Sequence, residues 1–277
     1  MSNFVNQVLS TVPASHSVTY SCTFTNTWSS ENHPFNYPGS AHWSPPVIAA
    51  HSNKYTMWKP GELASNGVKI VAETGSPGTL KEEVDDAMQE NKAGDVINGG
   101  VQFNRDTQEQ MLPDIALTPW FDMMSSITMV APSPDWYTGF YNVKPVDPSS
   151  MVWYESFEIP TYPWDAGTDE GDDFNSSNQA QDPHVPIFQL TKNTVPENGV
   201  LLNPEKTEVL PMATWSCSLK GSSSCDNYDN VMKGKTNKNC NWVDKNNNKK
   251  REKRCQKKYK GLPLSEWCPK ACRVCEA

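Results

Sequence analysis

No apolar run in the chain approaches the roughly 20 residues that a membrane-spanning helix needs. Residues Met1 to Ser10 also lack the charged-then-apolar pattern of a secretory leader. Cations are scarce over most of the length: residues 1–216 hold 9 Lys and Arg against 26 Asp and Glu, a net of −17. Catalytic signatures are missing too. There is no Gly-x-Ser-x-Gly elbow, no phosphate-cradling Gly-rich loop and no His-Glu-x-x-His pair. These absences remove the commonest hydrolase, nucleotide-binding and zinc-protease readings. No internal repeat is visible.

The remaining 61 residues are different. Residues 217–277 hold 15 Lys and Arg against 6 Asp and Glu, a net of +9, so that −17 and +9 give the −8 of the whole chain. Cysteines divide in the same way, with seven of the eight between Cys217 and Cys275 and only Cys22 apart. An even total of eight, seven of them crowded into a short segment, reads as a disulfide framework, and hence as a secreted protein of an oxidising compartment. A leader removed and replaced by Met reconciles that with the N-terminus. Such a compartment argues against nucleic acid as a partner. The expected organisation is two modules, 14–219 and 220–277.

Val18, Tyr20, Cys22 and Phe24 alternate with Thr and Ser, the period of a half-buried strand. Strands are also expected over 126–130, 138–143, 151–154, 187–191 and 213–219. One helix is expected, over 79–90, where Leu80, Val84, Ala87 and Met88 form a stripe. Many short strands separated by turn residues predict a mainly β fold, an antiparallel sandwich of two sheets. Residues 218–224 read as a polar linker, and Lys245 to Lys258 as a basic, Asn-rich loop. The tail has too few aliphatics for a core of its own and needs disulfide staples. Cys22 and Cys217 each fall on the apolar face of a terminal strand. If those strands are antiparallel neighbours, the two can form a disulfide; otherwise they are buried thiols.

Two strings carry the candidate site: Pro132-Ser133-Pro134-Asp135-Trp136 and Asp165-Ala166-Gly167-Thr168-Asp169. Pro and Gly bend both segments, placing three aspartates on turns. Carboxylates gathered without basic partners repel one another, and a hard divalent cation with oxygen ligands resolves that. Asp135, Asp165 and Asp169 are therefore candidate Ca²⁺ ligands. A lone turn Asp, by contrast, commonly bonds only its own backbone.

Other residues admit two readings each. His42 and His51 are a metal pair or hydrogen-bonded core residues. Glu73 is a base or a hydrogen-bonded acid. Cys272-x₂-Cys275 has zinc-ligand spacing, but no second such pair accompanies it, which favours disulfides. Lys258-Tyr259 resembles the channel-blocking Lys-Tyr pair of sea-anemone toxins or is part of a solvated basic loop, and the basic run could also hold an anionic polysaccharide or membrane surface. Asn175-Ser176-Ser177 is a glycosylation acceptor.

A further series of strings resembles the spondin domain of the F-spondin/mindin family. They are Thr23-Phe24-Thr25 before Trp28, Ala41-His42-Trp43-Ser44-Pro45, Ala50-His51-Ser52, Trp58 with Gly61, Ala64-Ser65-Asn66-Gly67 and Ala72-Glu73, and the two site strings complete the series. The resemblance covers most of 16–216. It implies a C2-like β-sandwich with bound calcium on Asp135, Asp165 and Asp169, and an extracellular adhesion or recognition role. The chain departs from the family in lacking thrombospondin repeats. It also has Asp147-Pro148-Ser149 where the family has a cysteine, so no family disulfide is carried over. The tail resembles the ShKT (sea-anemone-toxin-like) module through Cys268-Pro269-Lys270-Ala271-Cys272-x₂-Cys275, with longer spacings than the toxins. That resemblance implies the pairs Cys225–Cys275, Cys240–Cys268 and Cys255–Cys272. The combined expectation is a secreted, monomeric, non-enzymatic calcium-binding recognition protein. Its partner would be an extracellular protein or glycan. The alternatives are a channel-directed effector and a secreted enzyme with an unrecognised site.

Overall fold

The computed structural model describes residues 4–99, 103–104, 109–223, 240–244, 248–259 and 262–272. Its organising element is the strand Ser17–Asn26. Val18, Tyr20, Cys22 and Phe24 are buried, while the Thr and Ser residues between them are half-buried. It pairs antiparallel with Ala213–Ser223, from Ala213 opposite Asn26 to Ser223 opposite Ser17. The stretch read as a linker is therefore strand as far as Ser223. The first sheet runs in the order Val5–Pro13, Val152–Thr161, Ala213–Ser223, Ser17–Asn26, Glu109–Met111.

The second sheet centres on Met123–Ala131. It runs from Phe188–Gln189 through Pro163–Asp165 and Trp136–Thr138 to Met123–Ala131, then to His42–Trp43 and Phe103–Asn104. Val47–His51 also pairs with Met123–Ala131 and carries Ala93–Asn98 on its other side. Two antiparallel sheets make the mainly β sandwich.

Helices close a third layer. Ile48 and Ala50 face the core between the sheets, with Phe24, Trp43, Trp136, Phe140 and Trp215. Their neighbours Val47 and Ala49 face the other way, onto Val68, Val71, Leu80 and Val84 of the helices Asn66–Thr74 and Gly78–Gln89. The second sheet is thus buried on both faces. A fully buried aliphatic or Phe side chain contributes about 1.5–3 kcal/mol, so the two apolar layers dominate the stability.

Several elements differ from the expectation. Asn66–Thr74 was not anticipated, although Ser65 caps it by accepting from the Val68 amide at 3.1 Å and Gly75 ends it at φ 71. The strand expected over 138–143 stops at Thr138. Beyond it Gly139 lies so close to the neighbouring strand that a Cβ there would sit 2.1 Å from the Ser126 carbonyl oxygen. The strand expected over 187–191 is only Phe188–Gln189, and the one expected over 151–154 continues to Thr161.

In the tail, the run read as a basic loop contains the helix Asn248–Cys255. Its lysines and arginines are good helix formers, and periodicity of apolar residues, the signal used, is absent from it. Val243, Leu264 and Ala271 are buried with Cys240, Cys255 and Cys268 in a small core. Cys240 is bonded to Cys268 and Cys255 to Cys272. The expected pair Cys225–Cys275 lies outside the described residues.

Cys22 and Cys217 stand opposite each other on the central ladder and are bonded, with Cα atoms 4.1 Å apart. The bond joins residues 195 apart in sequence. Constraining so long a loop in the unfolded chain is worth about 5 kcal/mol by the entropy model. The Cys22→Ala, Cys217→Ala double variant is expected to lose up to that amount in urea unfolding. The wild type, alkylated unfolded but unreduced, should show no thiol from this pair.

Buried His33 gives a second expectation. Its ring is fully enclosed, with Nε2 3.3 Å from the Leu210 carbonyl oxygen. Burial pulls its pKa down to about 4. The unfolded chain therefore takes up this proton first as pH falls. The stability is intact above pH about 6.5 and is lost progressively toward pH 4, by about 3 kcal/mol. Thermal melts should show the wild type losing more between pH 7 and 4.5 than His33→Gln does; equal losses would contradict the assignment.

Candidate functional site

The strand pair Trp136–Thr138 and Pro163–Asp165 sets Trp136 opposite Asp165. Trp136 points into the core between the sheets, against Phe174, and Tyr137 points to the helical side, against Trp58. The two aromatics anchor the strand on both faces. A turn at Ser133-Pro134 delivers Asp135 to its start, where the Trp136 amide donates to Ser133 Oγ at 3.1 Å. Asp135 and Asp165 are thereby adjacent, and the loop leaving Asp165 crosses directly over Asp135.

That loop is tied down by carboxylates. Asp165 Oδ1 accepts from the Gly167 amide at 2.8 Å. Asp135 Oδ2 accepts from the Thr168 amide at 2.7 Å, the Thr168 hydroxyl at 3.2 Å and the Asp169 amide at 3.1 Å. Asp169 Oδ1 accepts from Gly171 at 2.7 Å, and its Oδ2 accepts from the Gln179 amide at 3.0 Å. Gly167 permits the crossing: its φ is 72°, and a Cβ there would lie 2.1 Å from the Val185 carbonyl oxygen. The Val185 amide in turn donates to the Gly167 carbonyl at 2.9 Å.

All three aspartates are buried, Asp135 completely. Among the described residues no salt bridge reaches any of them. Burial, and next the Asp135 charge, push the Asp165 carboxyl well above the usual carboxylate range. Burial likewise raises Asp135, against the pull of its three donors. The Tyr137 phenol is raised by burial and then by the charges of Asp165 and Asp135, which marks it as a neighbour of the site. Among the described residues Asp135 Oδ1 and the Tyr137 hydroxyl are buried without a hydrogen-bond partner.

Among the described residues no three His, Cys, Asp or Glu side chains form a ready-made metal cage. The donor chemistry nevertheless fits a hard cation. The available atoms are carboxylate oxygens, one of them an orphaned buried acceptor, and among the described residues no salt-bridging cation competes for them.

Thr168 and Tyr137 were not singled out from the sequence, and Gly167 was read there only as bending its segment. Thr168 and Gly167 act largely through backbone amides, which residue type does not announce. Tyr137 carried a signal, since it immediately follows the Asp135-Trp136 string.

The other candidates lie elsewhere. His51 is enclosed, with Nε2 2.8 Å from Ser125 Oγ and Nδ1 2.9 Å from the Ser52 carbonyl oxygen. His42 Nδ1 lies 2.6 Å from the Ser40 carbonyl oxygen. Each histidine is engaged locally rather than with the other. Glu73 pairs with Lys69 at 3.8 Å on the helix surface. Lys258–Tyr259 forms a two-residue strand against Leu262–Pro263. Asn175 is exposed, close along the chain to the loop that Asp169 ties down.

A helix-backed β-sandwich that buries turn-borne aspartates beside one strand pair defines the architecture. The Spondin_N family model matches residues 18–211, and the chain belongs to that family. It is 33% identical over 199 residues to Spondin-1 of Rattus norvegicus, a match spanning 70% of this chain and 24% of that protein. It is 32% identical over 178 residues to Spondin-2 of Rattus norvegicus, spanning 63% of this chain and 53% of that protein. Spondin-2 of Homo sapiens is 31% identical over 178 residues. The chain thus spans about a quarter of Spondin-1 and about half of Spondin-2. The family match ends ahead of the cysteine-rich tail.

Gly167→Ala should destabilise the protein by about 1–3 kcal/mol or more, combining backbone strain with the clash on Val185. Gly61→Ala is the control, because Gly61 has φ 81° and nothing within 4 Å of a Cβ. Its cost should be the smaller of the two in urea unfolding, and equal costs would remove the close-approach argument.

Proposed function

We propose that this chain is a secreted, non-enzymatic recognition protein of the extracellular matrix or cell surface. In this reading Asp135, Asp165 and Asp169 bind one Ca²⁺ that locks the loops of the sandwich. The observation that carries it is the burial of these carboxylates with no protein cation beside them. Asp135 uses Oδ2 to hold the Thr168 and Asp169 amides, which leaves Oδ1 free for the ion. Asp165 and Asp169 each keep their own turn closed while contributing charge. Calcium, when bound, supplies the positive charge that the site lacks. Three carboxylates leave part of a shell of six to eight oxygens to carbonyls, water or a partner.

The partner class is an extracellular protein or glycan, engaged by a monomer. The loops beside the site are the presenting surface, and a glycan on Asn175 would border it. The tail is a ShKT-like module whose disulfides reinforce the small core of Val243, Leu264 and Ala271.

Calorimetry with Ca²⁺ should give a Kd of about 10⁻⁴–10⁻³ M, the range of extracellular modules. A hundredfold excess over Kd should then stabilise the wild type by about 2.7 kcal/mol. Asp135→Asn separates charge from packing. The amide oxygen can still accept from the loop, so in chelator at pH 7 the variant should melt no lower than the wild type. With calcium the wild type should rise and the variant should not. A wild type with neither a calcium heat nor a chelator-sensitive melt would sink the proposal.

A further inference from the structure

We propose that the helix Asn248–Cys255, with the turn after it, is a binding face for an acidic polysaccharide. The cations of this helix fall into two groups. Arg251 pairs with Asp244 at 3.2 Å, and its side chain is only 11% exposed. Arg254 lies over the Trp242 ring at 4.1 Å and donates Nη1–H to the Trp242 carbonyl at 2.5 Å. The arginines are therefore used in holding the module together.

Three of the lysines face solvent. Lys249, Lys253 and Lys257 are exposed, and none has an acidic partner among the described residues. Four-residue spacing puts Lys249 and Lys253 on one side of the helix, and Lys257 follows them past Cys255, where its amide still bonds the Arg254 carbonyl at 3.0 Å. At 1.5 Å per residue the strip is about 12 Å long. Like charges four residues apart oppose helix formation. A polyanion lying along the strip would relieve that repulsion.

The ligand class follows from what surrounds the strip. The exposed residues of the segment are Lys249, Lys250, Glu252, Lys253, Gln256 and Lys257. None of these described side chains is apolar or aromatic, so they offer neither a wedge to enter a bilayer nor a ring to stack a base. Lysine ammonium groups are compact point charges on flexible stems, suited to acidic groups spaced along a flexible chain. The chain as a whole carries −8. Its net field therefore repels a polyanion, and attraction has to be local and sensitive to salt. This inference does not depend on calcium at the sandwich, and the test is made in excess chelator to keep the two apart.

The full chain is titrated calorimetrically with a heparin-derived octasaccharide, an oligogalacturonate of equal length and uncharged maltooctaose. At least one acidic oligomer should bind and the neutral one should not. Comparing the two acidic arms tells sulfate from carboxylate. Affinity should fall about tenfold or more between low and physiological salt. The triple variant Lys249→Gln, Lys253→Gln, Lys257→Gln should weaken binding about tenfold or more, with an unchanged or higher melting temperature. Lys54→Gln, Lys81→Gln, Lys192→Gln makes the same change of net charge on the sandwich and should leave binding intact. The proposal is overturned by binding to neither acidic oligomer or by equal losses in the two triple variants. It is also overturned if the wild type binds phosphatidylserine vesicles while ignoring both oligomers.

Discussion

The ladder between Ser17–Asn26 and Ala213–Ser223 is the interaction on which the sandwich depends. It brings the first and last long strands of the domain side by side over Ala213↔Asn26 to Ser223↔Ser17. Everything between them must then return to its starting point, and the chain does so by laying the second sheet over the first. Phe24 and Trp215 are cross-strand partners on the ladder and meet edge to face, with centroids 5.1 Å apart. Phe24 also meets Trp43 of the opposite sheet, and Trp215 meets Phe140, two residues past the strand Trp136–Thr138. The contact that sets the register is thus also the contact that joins the layers.

Against this apolar core the carboxylate site stands out. Backbone amides and a hydroxyl satisfy most of its carboxylate oxygens, Asp135 Oδ1 excepted, but among the described residues no salt bridge balances the charge. A fold that required only turn closure could do it with Asn or Ser, which cap amides without a charge to bury. The raised carboxyls of Asp135 and Asp165 are the signature of that surplus. The tail shows the converse imbalance. Its arginines are paired or stacked, while three lysines remain in solvent without acidic partners among the described residues.

Much of this was legible in residue order, for identifiable reasons. Ser17–Asn26 has one face in the core and one outside, so its alternation is plain in the sequence. Val47–His51 is buried on both faces and loses that alternation, which is why it was not read as a strand. Asn66–Thr74 is short and its cap residues are modest, so Ser65 and Gly75 gained meaning only after the helix was seen. The helix Asn248–Cys255 has no apolar stripe at all and is fixed by Cys255, Arg254 and Trp242. At the site, the three aspartates were visible as side chains in recurrent strings. Their true partners, the amides of Gly167, Thr168 and Gln179, belong to the backbone and have no residue-type signature.

The bond between Cys22 and Cys217 has a mechanical consequence. Strand Ala213–Ser223 leads onward to the tail, and Ser17–Asn26 follows the N-terminal strand. A pull exerted between the tail and the N-terminal end therefore enters and leaves through two residues that are already bonded. The load crosses one covalent link and bypasses the chain between residues 22 and 217. The carboxylate loops, the helices Asn66–Thr74 and Gly78–Gln89 and most of both buried layers lie inside that bypassed segment. Tension that would unzip an unlinked sandwich from its terminal strands thus leaves the carboxylate loops unstretched until a covalent bond breaks.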